Sequence, residues 1–156
     1  MKISDILDES LVVNSLPGQT KEEVINALVE IVSKSPKVLE KEKVRAAIFD
    51  RERIMSTGVG NGFAIPHGKT DAVSDIVAAF CVTAAPINYQ SLDEKPVRLV
   101  FLLVGKDNLI GPHIKLLSRI SRLMNKEEFR NRLLETRSAR EIIDTFKTEE
   151  ANYSEM

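Results

Sequence analysis

The sequence predicts an α/β fold in which helices cover both faces of a mixed β-sheet within a single domain. Two continuous apolar runs, residues 75–83 (DIVAAFCVT) and 97–105 (VRLVFLLVG), are rich in β-branched and aromatic residues. Their length and composition are typical of strands that are buried on both faces. Helical patterns precede and follow these runs, as this layered architecture requires. With 156 residues, the chain has the length of one domain and can bury a core.

The first half of the chain contains one short strand candidate and two helices. The strand candidate is LVV at residues 11–13, and Thr20 with Glu23 then forms the capping pattern of a helix start. Apolar residues follow at helical spacing: Val24, Ile25, Leu28, Val29 and Val32. Residues 40–55 predict the second helix, with Val44, Ala47 and Ile48 facing the core. Glycines in residues 58–62 end this pattern, and FAI at residues 63–65 is a further short strand candidate.

The second half is helical after the second apolar run. Residues 111–126 have Pro112 in the first turn, where proline is tolerated, and an apolar face formed by Ile114, Leu116, Leu117, Ile120 and Leu123. Residues 126–135 continue the helical pattern after a break, and Ser138 with Glu141 forms a second capping pattern. The polar residues 149–156 predict a frayed tail, so we expect the domain to cover residues 1–148.

Composition excludes several classes of function. A net charge of −1 and a pI near 6.2 give no reason to expect nucleic-acid binding. Cys81 is the only cysteine and lies in an apolar run, which predicts a buried side chain and neither a disulfide nor a thiolate metal cluster. No apolar stretch reaches the length of about 18 residues that spans a membrane, and the N-terminus carries acidic residues. We therefore expect a cytoplasmic protein.

The stretch GVGNGFAIPHGKT, residues 58–70, superficially resembles a phosphate-binding P-loop. The pattern G-x-x-x-x-G-K-[ST] requires a glycine at position 63, which is Phe63, and Gly62 is one residue too early. Pro66 would lie inside the loop, and the preceding element has a helical pattern rather than the strand that a P-loop requires. A dinucleotide-binding fingerprint fails at the same position. The sequence therefore argues against a nucleotide site.

His67 is instead the residue that this stretch holds in place. Pro66 restricts the backbone before it, and Gly68 allows the chain to turn immediately after it. The backbone N–H groups of Gly58, Gly60, Asn61 and Gly62 can approach an anion without interference from bulky side chains. This combination predicts an imidazole beside a phosphoryl-binding pocket. The alternative is that His67 only ends a strand.

A second histidine and two arginines add to this prediction. His113 follows Pro112 in the first turn of a predicted helix, where free N–H groups disfavour a protonated ring. It can donate one hydrogen bond to a phosphoryl oxygen, or simply pack half-buried against its own helix. Arg51 and Arg53 precede the glycines, and a guanidinium binds phosphate in a bidentate fork. Charge alone does not distinguish the two arginines, and the sequence leaves the reacting ring nitrogen open.

These residues lie in a pattern that resembles a known family. RERIMSTGVGNGFAIPHG (residues 51–68) followed by GPHIKLLSRISRLM (residues 111–124) is similar to the IIA component of the phosphoenolpyruvate-dependent sugar phosphotransferase system. The similarity is to the fructose/mannitol class, which includes the nitrogen-regulatory IIA proteins, and it covers nearly the whole chain. It implies an α/β sandwich around a mixed sheet of about five strands, and a type-2 IIA domain over residues 1–148.

The resemblance also implies roles and partners. His67 would be the phosphorylated nucleophile, Arg51 would stabilise the phosphoryl charge, and His113 would be the accessory donor. The histidine-containing carrier protein would be the phosphoryl donor, and a cysteine on a IIB domain would be the acceptor that serves sugar uptake. The protein would reach the membrane only through a permease complex. Neither a cofactor nor a metal is expected in this reaction. Phe63, Leu109 and Ile110 are candidates for an apolar docking rim, or for the core.

Three alternatives remain open at this stage. A regulatory module would use phosphorylation of His67 to gate binding to partner proteins without any sugar downstream. A small metal-dependent hydrolase would use both histidines as ligands. A purely structural α/β domain would accept no phosphoryl group.

Overall fold

A five-stranded sheet lies between two layers of helices. The computed structural model describes residues 2–152. In chain order, the elements are α1 (Ile3–Ile6), a 3₁₀ turn (Glu9–Leu11), β1 (Val12–Leu16), α2 (Lys21–Val32), α3 (Lys41–Ile54), β2 (Phe63–Ala64), β3 (His67–Lys69), β4 (Val77–Ile87), β5 (Val97–Gly105), α4 (Ile110–Met124), α5 (Glu127–Leu134) and α6 (Ala139–Asn152). The predicted α/β fold, with a mixed sheet in one domain, is confirmed.

The sheet is mixed because its central pair is antiparallel and its outer strands are parallel to their neighbours. β4 and β5 form the antiparallel pair, and β1 pairs with β4 in parallel. The short strands β2 and β3 both pair with β5 in parallel, at different points along its length. His67 lies opposite Leu103 and Lys69 opposite Gly105, so β3 ends where β5 ends. The loop from Gly105 into α4 leaves from this same edge of the sheet.

The alternation of side chains along β4 and β5 divides the core into two clusters. Phe80, Val82, Phe101 and Leu103 face α1, α4, α5 and α6. The residues between them point to the opposite face, where Cys81 and Leu102 pack against α2 and α3. Both strands are therefore buried on both faces, as their continuous apolar sequence predicts. Cys81 is a free, buried cysteine, also as predicted.

Local sequence signals fix the starts of α2 and α6. The Thr20 side chain accepts a hydrogen bond from the Glu23 N–H, and Ser138 accepts one from the Glu141 N–H. Both predicted N-caps are thus confirmed. No helix within residues 2–152 is both long and apolar enough to cross a membrane.

The predicted frayed tail is wrong for residues 149–152, which complete α6. Glu149 and Glu150 are buried because each finds polar partners. The Glu150 carboxylate accepts hydrogen bonds from the N–H groups of Ile3 and Ser4, and the Glu149 carboxylate pairs with Arg132 and Lys126. The C-terminal helix is therefore fastened to α1 and α5. Residues 153–156 of the predicted tail lie outside the described residues.

Candidate active site

The two histidines of the chain meet beside β3, near the carboxyl end of β5. A cleft of about 790 Å³ opens there between α3 and α4. His67 and His113 both line it, and their ring centroids are 5.9 Å apart with the ring planes tilted by 53°. Ligand sites in α/β sheets commonly lie outside the carboxyl ends of the strands, which is where this cleft lies.

The His67 ring is held by a hydrogen bond to a nearby backbone carbonyl. Its Nδ1 atom lies 2.8 Å from the carbonyl oxygen of Ile65, two residues earlier. A carbonyl only accepts hydrogen bonds, so Nδ1 must be the protonated nitrogen in the neutral ring. The lone pair is then on Nε2. The side chain is half-buried, which leaves it accessible from the cleft.

The turn that the sequence predicts immediately after His67 is not present. His67, Gly68 and Lys69 continue as β3, so Gly68 extends the strand instead of ending it. A Cβ atom on Gly68 would lie 3.2 Å from the backbone carbonyl carbon and oxygen of Ala47 in α3. Gly68 is therefore required for the close packing of α3 against β3. That contact brings the end of α3 to the cleft.

His113 lies in the first turn of α4, as predicted, and is almost fully buried, with 3% of its surface exposed. Its ring packs directly over Gly105, where an added Cβ would lie 2.5 Å from Nδ1. Among the described residues, neither ring nitrogen has a hydrogen-bond partner. A buried polar group without a partner is uncommon and costs free energy. An incoming group with an acceptor oxygen would satisfy one of these nitrogens.

The structure distinguishes the two arginines. Arg51 lines the cleft with both histidines, and its Nη1 donates to the carbonyl of Met55 at 2.9 Å. Arg53 points elsewhere: its side chain is 74% exposed and pairs with Asp50. A guanidinium has five N–H donors, so Arg51 can bind an anion while it keeps the contact with Met55.

Lys69 is a cleft residue that the sequence reasoning missed. It lies two residues after His67 in β3, and strand alternation puts both side chains on the same face. It is exposed, lines the cleft, and forms no ion pair within residues 2–152. No local pattern reveals it, because β3 is a strand through its pairing with β5. In the sequence, Lys69 is only the lysine of an apparent P-loop.

Burial and nearby cations favour the neutral form of both histidines. Burial lowers the pKa of His67 most, the carbonyl of Ile65 opposes that effect, and Arg51 lowers the pKa further. The pKa of His113 falls to about 4, mainly through burial, with smaller contributions from His67 and Lys69. Both rings are therefore uncharged near pH 7. An uncharged imidazole is a nucleophile or a hydrogen-bond donor, whereas a protonated one has no free lone pair.

The predicted backbone cradle of Gly58, Gly60, Asn61 and Gly62 is not at this site, because none of the four lines the cleft. The Asn61 N–H donates to the Asp93 carboxylate, and the Gly62 carbonyl accepts from the N–H of Leu99. Leu99 is four residues before Leu103, the partner of His67, so Gly62 and His67 are roughly 13 Å apart along the sheet. These glycines instead build the turn that leads into β2.

The apolar rim also differs from its prediction. Phe63 is fully buried in the core, and Leu109 is partly buried against it. Ile110 is exposed, as a docking residue would be. The cleft itself is bordered by two other exposed side chains, Ile54 at 79% and Ile114 at 59%. They lie at the end of α3 and in the first turns of α4, on opposite sides of the histidines.

This arrangement suits an anion that is transferred rather than tightly held. Arg51, Lys69 and Lys43 supply positive charge to the cleft, and Asp50 and Asp107 supply negative charge. Asp50 is already paired with Arg53. Within residues 2–152, no group of three His, Cys, Asp or Glu side chains is arranged to hold a metal ion. The geometry thus combines two neutral imidazoles and a guanidinium around one open space.

Comparison with known proteins places these residues in a family. Residues 5–149 match the family model described as "Phosphoenolpyruvate-dependent sugar phosphotransferase system, EIIA 2". The chain is 37% identical over 144 residues to the fructose-specific EIIABC component of Bacillus subtilis (strain 168). That alignment covers 92% of this chain but only 23% of the longer relative.

Solved structures agree with this match. The nitrogen regulatory protein IIA-Ntr of Neisseria meningitidis is similar with a TM-score of 0.87 and 30% identity, over 92% of this chain and 98% of that one. The mannitol enzyme IIA of Escherichia coli, solved in complex with phosphorylated enzyme IIB, is similar with a TM-score of 0.78 and 25% identity, over 91% of this chain and 97% of that one.

Proposed function

The chain belongs to the EIIA 2 family of the phosphoenolpyruvate-dependent sugar phosphotransferase system, and we propose that it is a phosphocarrier that uses His67. It accepts a phosphoryl group from the histidine-containing carrier protein and passes it to a cysteine of a IIB protein, which serves sugar uptake. The observation that supports this most strongly is the meeting of His67, His113 and Arg51 in one open cleft. The family description names a phosphotransferase system, and the sequence resemblance implies that the phosphoryl group is carried on a histidine.

The contact between His67 and Ile65 favours Nε2 as the reacting nitrogen. The Nε2 lone pair attacks the phosphorus of the donor's phosphohistidine. A new N–P bond forms while the donor's N–P bond breaks, and the electron pair of that bond returns to the donor imidazole. Nδ1 keeps its proton against the Ile65 carbonyl, and the donor ring keeps its own, so no proton is exchanged. Onward transfer repeats the step with a thiolate as the attacking group.

The remaining cleft residues stabilise charge during transfer. Phosphoryl transfer spreads negative charge over three oxygens and depends mainly on positioning and electrostatics. Arg51 offers paired N–H donors to two of these oxygens, and His113 offers one N–H from a ring that burial keeps neutral. Lys69, two residues after His67 on β3, adds a second positive charge. We assign no metal to this step.

Partner proteins dock over the cleft in this proposal. Ile54 and Ile114 are exposed and apolar on its two sides, a composition that suits the centre of a transient interface. The complex of the mannitol enzyme IIA with phosphorylated enzyme IIB supports a IIB partner. We propose that the protein acts in the cytoplasm and reaches the membrane only through a permease complex.

The direct test is incubation with enzyme I, carrier protein and labelled phosphoenolpyruvate. We expect one acid-labile, base-stable adduct that maps to His67, and its loss in His67→Gln, because the nucleophilic nitrogen is removed. Circular dichroism should show the variant folded, since His67 is only half-buried. Label on another residue, or undiminished label in His67→Gln, would refute the assignment.

A regulatory role is the second candidate, supported by the similarity to the nitrogen regulatory protein of Neisseria meningitidis. Phosphorylation of His67 would then change the charge of the cleft and gate binding to a target protein. Candidate IIB proteins distinguish the two functions after the first transfer. A phosphocarrier for sugar uptake loses its label to a IIB cysteine and yields sugar phosphate, whereas a purely regulatory protein retains the label.

A further inference from the structure

A buried polar cluster lies behind the active site, and the mechanism above does not use it. We call it the Glu52 cluster, and it consists of Lys21, Glu52, Thr57 and Tyr89. All four residues are at least nine-tenths buried. They come from the start of α2, the last turn of α3, the loop after α3 and the segment after β4. The cluster therefore joins parts of the chain that are far apart in sequence.

The hydrogen bonds of the Glu52 cluster can be assigned a direction. Lys21 Nζ lies 2.9 Å from Glu52 Oε1, which also accepts from the Thr57 N–H at 3.0 Å. Thr57 Oγ1 donates to Glu52 Oε2 at 2.6 Å. The Thr57 hydroxyl has only one hydrogen, so the Tyr89 hydroxyl, 2.9 Å away, must donate to Thr57. Glu52 thus holds Thr57 through both its backbone and its side chain.

From Thr57, two further hydrogen bonds lead to the reactive histidine. The Thr57 carbonyl accepts from the Ile65 N–H at 3.2 Å. The carbonyl of the same Ile65 accepts from His67 Nδ1 at 2.8 Å. Thr57 is therefore hydrogen-bonded directly to Ile65, and the carbonyl of Ile65 sets the tautomer and the ring orientation of His67. This path lies entirely within residues 52–67.

We propose that Glu52 and Thr57 are positioning residues for His67: they fix Ile65 so that its carbonyl holds Nδ1–H and leaves the Nε2 lone pair facing the cleft. The inference deepens the proposed phosphocarrier function and rests on it for its effect on transfer. Neither residue contacts the phosphoryl group. Both act through the backbone of Ile65, and the charge of Glu52 in addition raises the pKa of His67, against the larger effect of burial, which lowers it.

The cost of burying charge supports a role beyond stability. Removing Lys21 and Glu52 from water carries a desolvation penalty that their attraction offsets only in part. Well-packed apolar residues would serve a core equally well. Partners that orient a metal-binding imidazole are a recurring use of such groups, and their loss typically reduces affinity or activity by roughly 10- to 100-fold. We expect an effect at the low end of that range for an imidazole that acts without a metal. The placement of the Glu52 cluster behind His67 fits that use.

The test compares three variants of the intact chain. Thr57→Val removes the hydroxyl that bonds Glu52 while it keeps the side-chain shape. Thr57→Ser restores that hydroxyl and should rescue function. Tyr89→Phe is the matched control, because it removes one buried hydroxyl from the same cluster but leaves the path from Glu52 to Ile65 intact. Glu52→Gln is a second perturbation in case Thr57→Val does not fold.

Two readouts separate positioning from simple stability. Imidazole ¹⁵N chemical shifts of the unphosphorylated protein report the His67 tautomer, and rapid-quench kinetics report phosphoryl uptake. We expect the Nδ1–H tautomer in the wild type, Thr57→Ser and Tyr89→Phe. In Thr57→Val or Glu52→Gln, we expect a mixture of tautomers and uptake slowed roughly tenfold. A purely structural cluster would instead lower the unfolding midpoints of Thr57→Val and Tyr89→Phe alike, with neither tautomer nor rate changed.

Unchanged ¹⁵N shifts and rate in both perturbing variants would overturn the proposal. Failure of the phosphocarrier function itself looks different, because the wild type would then accept no label. The tautomer comparison would still decide whether Glu52 and Thr57 position the ring.

Discussion

The two arginines at the end of α3 carry the same charge but have different surroundings. Arg51 lines the cleft beside His67, whereas Arg53 projects into solvent and pairs with Asp50. Helical spacing accounts for this difference. Ala47, Arg51 and Ile54 recur at i, i+4 and i+7 and line the cleft together. Position 53 lies about 200° around the helix from position 51.

We expect Arg51→Gln to slow phosphoryl uptake roughly 100-fold, the usual effect of removing one preorganised donor to a developing charge. The same change should raise the pKa of His67, because the nearby guanidinium lowers it in the wild type. Rapid-quench uptake and an NMR titration of the His67 ring measure the two effects. Arg53→Gln is the matched control and should change neither. Equal effects of the two variants would show that Arg51 acts only through general charge.

At the scale of single residues, the sequence indicates which residue types serve the site better than it indicates where each residue lies in the fold. His67 and His113 were found because they are the only histidines and lie in distinctive surroundings. The glycines of residues 58–62 were assigned to the wrong place, because nearness in sequence does not reveal the register of β2 on β5. Lys69 was missed although its side chain lies beside that of His67. Only the assignment of β3 as a strand makes that relation visible.

The contact between α3 and β3 is the element-scale feature on which the site depends. β3 has only three residues, and its pairing with β5 rather than its own composition makes it a strand. Because Gly68 has no Cβ, α3 approaches β3 so closely that the Gly68 backbone packs against the backbone of Ala47. One turn further along α3, this approach places Arg51 at the cleft.

We expect Gly68→Ala to reduce both stability and phosphoryl uptake. The added Cβ meets the Ala47 backbone at 3.2 Å, so α3 must shift outward and take Arg51 with it. Overpacking of this kind costs about 1–3 kcal/mol, measurable by urea unfolding. Gly111→Ala is the control, since nothing outside its own helix and its chain neighbours lies within 4 Å of its added Cβ. It should leave phosphoryl uptake unchanged, although alanine before Pro112 is disfavoured in a helical backbone and so should lower stability.

The contrast between the two glycines makes this test specific. A destabilised Gly68→Ala protein with normal uptake would mean that Arg51 does not depend on the position of α3. A loss of uptake in Gly111→Ala as well would instead indicate that uptake falls with stability in general and not with the position of α3.

At the scale of the whole molecule, local patterns predict the helix and sheet layers. They do not predict the contacts between residues that are distant in sequence. β5 was predicted with its observed ends because nine consecutive residues favour a buried strand. β4 runs to Ile87, beyond the predicted end at residue 83, because residue 87 pairs with Val97. Likewise, Glu149 and Glu150 have the composition of a solvated tail. Their partners, Arg132, Ile3 and Ser4, are distant in sequence, so no local pattern reveals their burial.

The buried His113 gives the whole fold a pH dependence of defined sign. Its pKa falls from 6.5 to about 4 on folding, so the unfolded chain binds a proton that the folded protein excludes. Its contribution to stability is therefore fully present above pH 6.5, the unfolded value, and is lost as the pH falls toward 4. Carboxylates and His67 also change stability over this range, so the effect must be isolated by comparison.

Urea unfolding of the wild type and of His113→Leu at pH 7.5 and 4.5 makes that comparison. We expect the wild type to lose about 2 kcal/mol more than the variant between these pH values, because leucine removes only the titration of His113. The variant must be folded at pH 7.5, which the same unfolding curves establish. Parallel losses in the two proteins would mean that His113 binds its proton equally well in the folded state. The neutral donor at the centre of the proposed transfer would then have no physical basis.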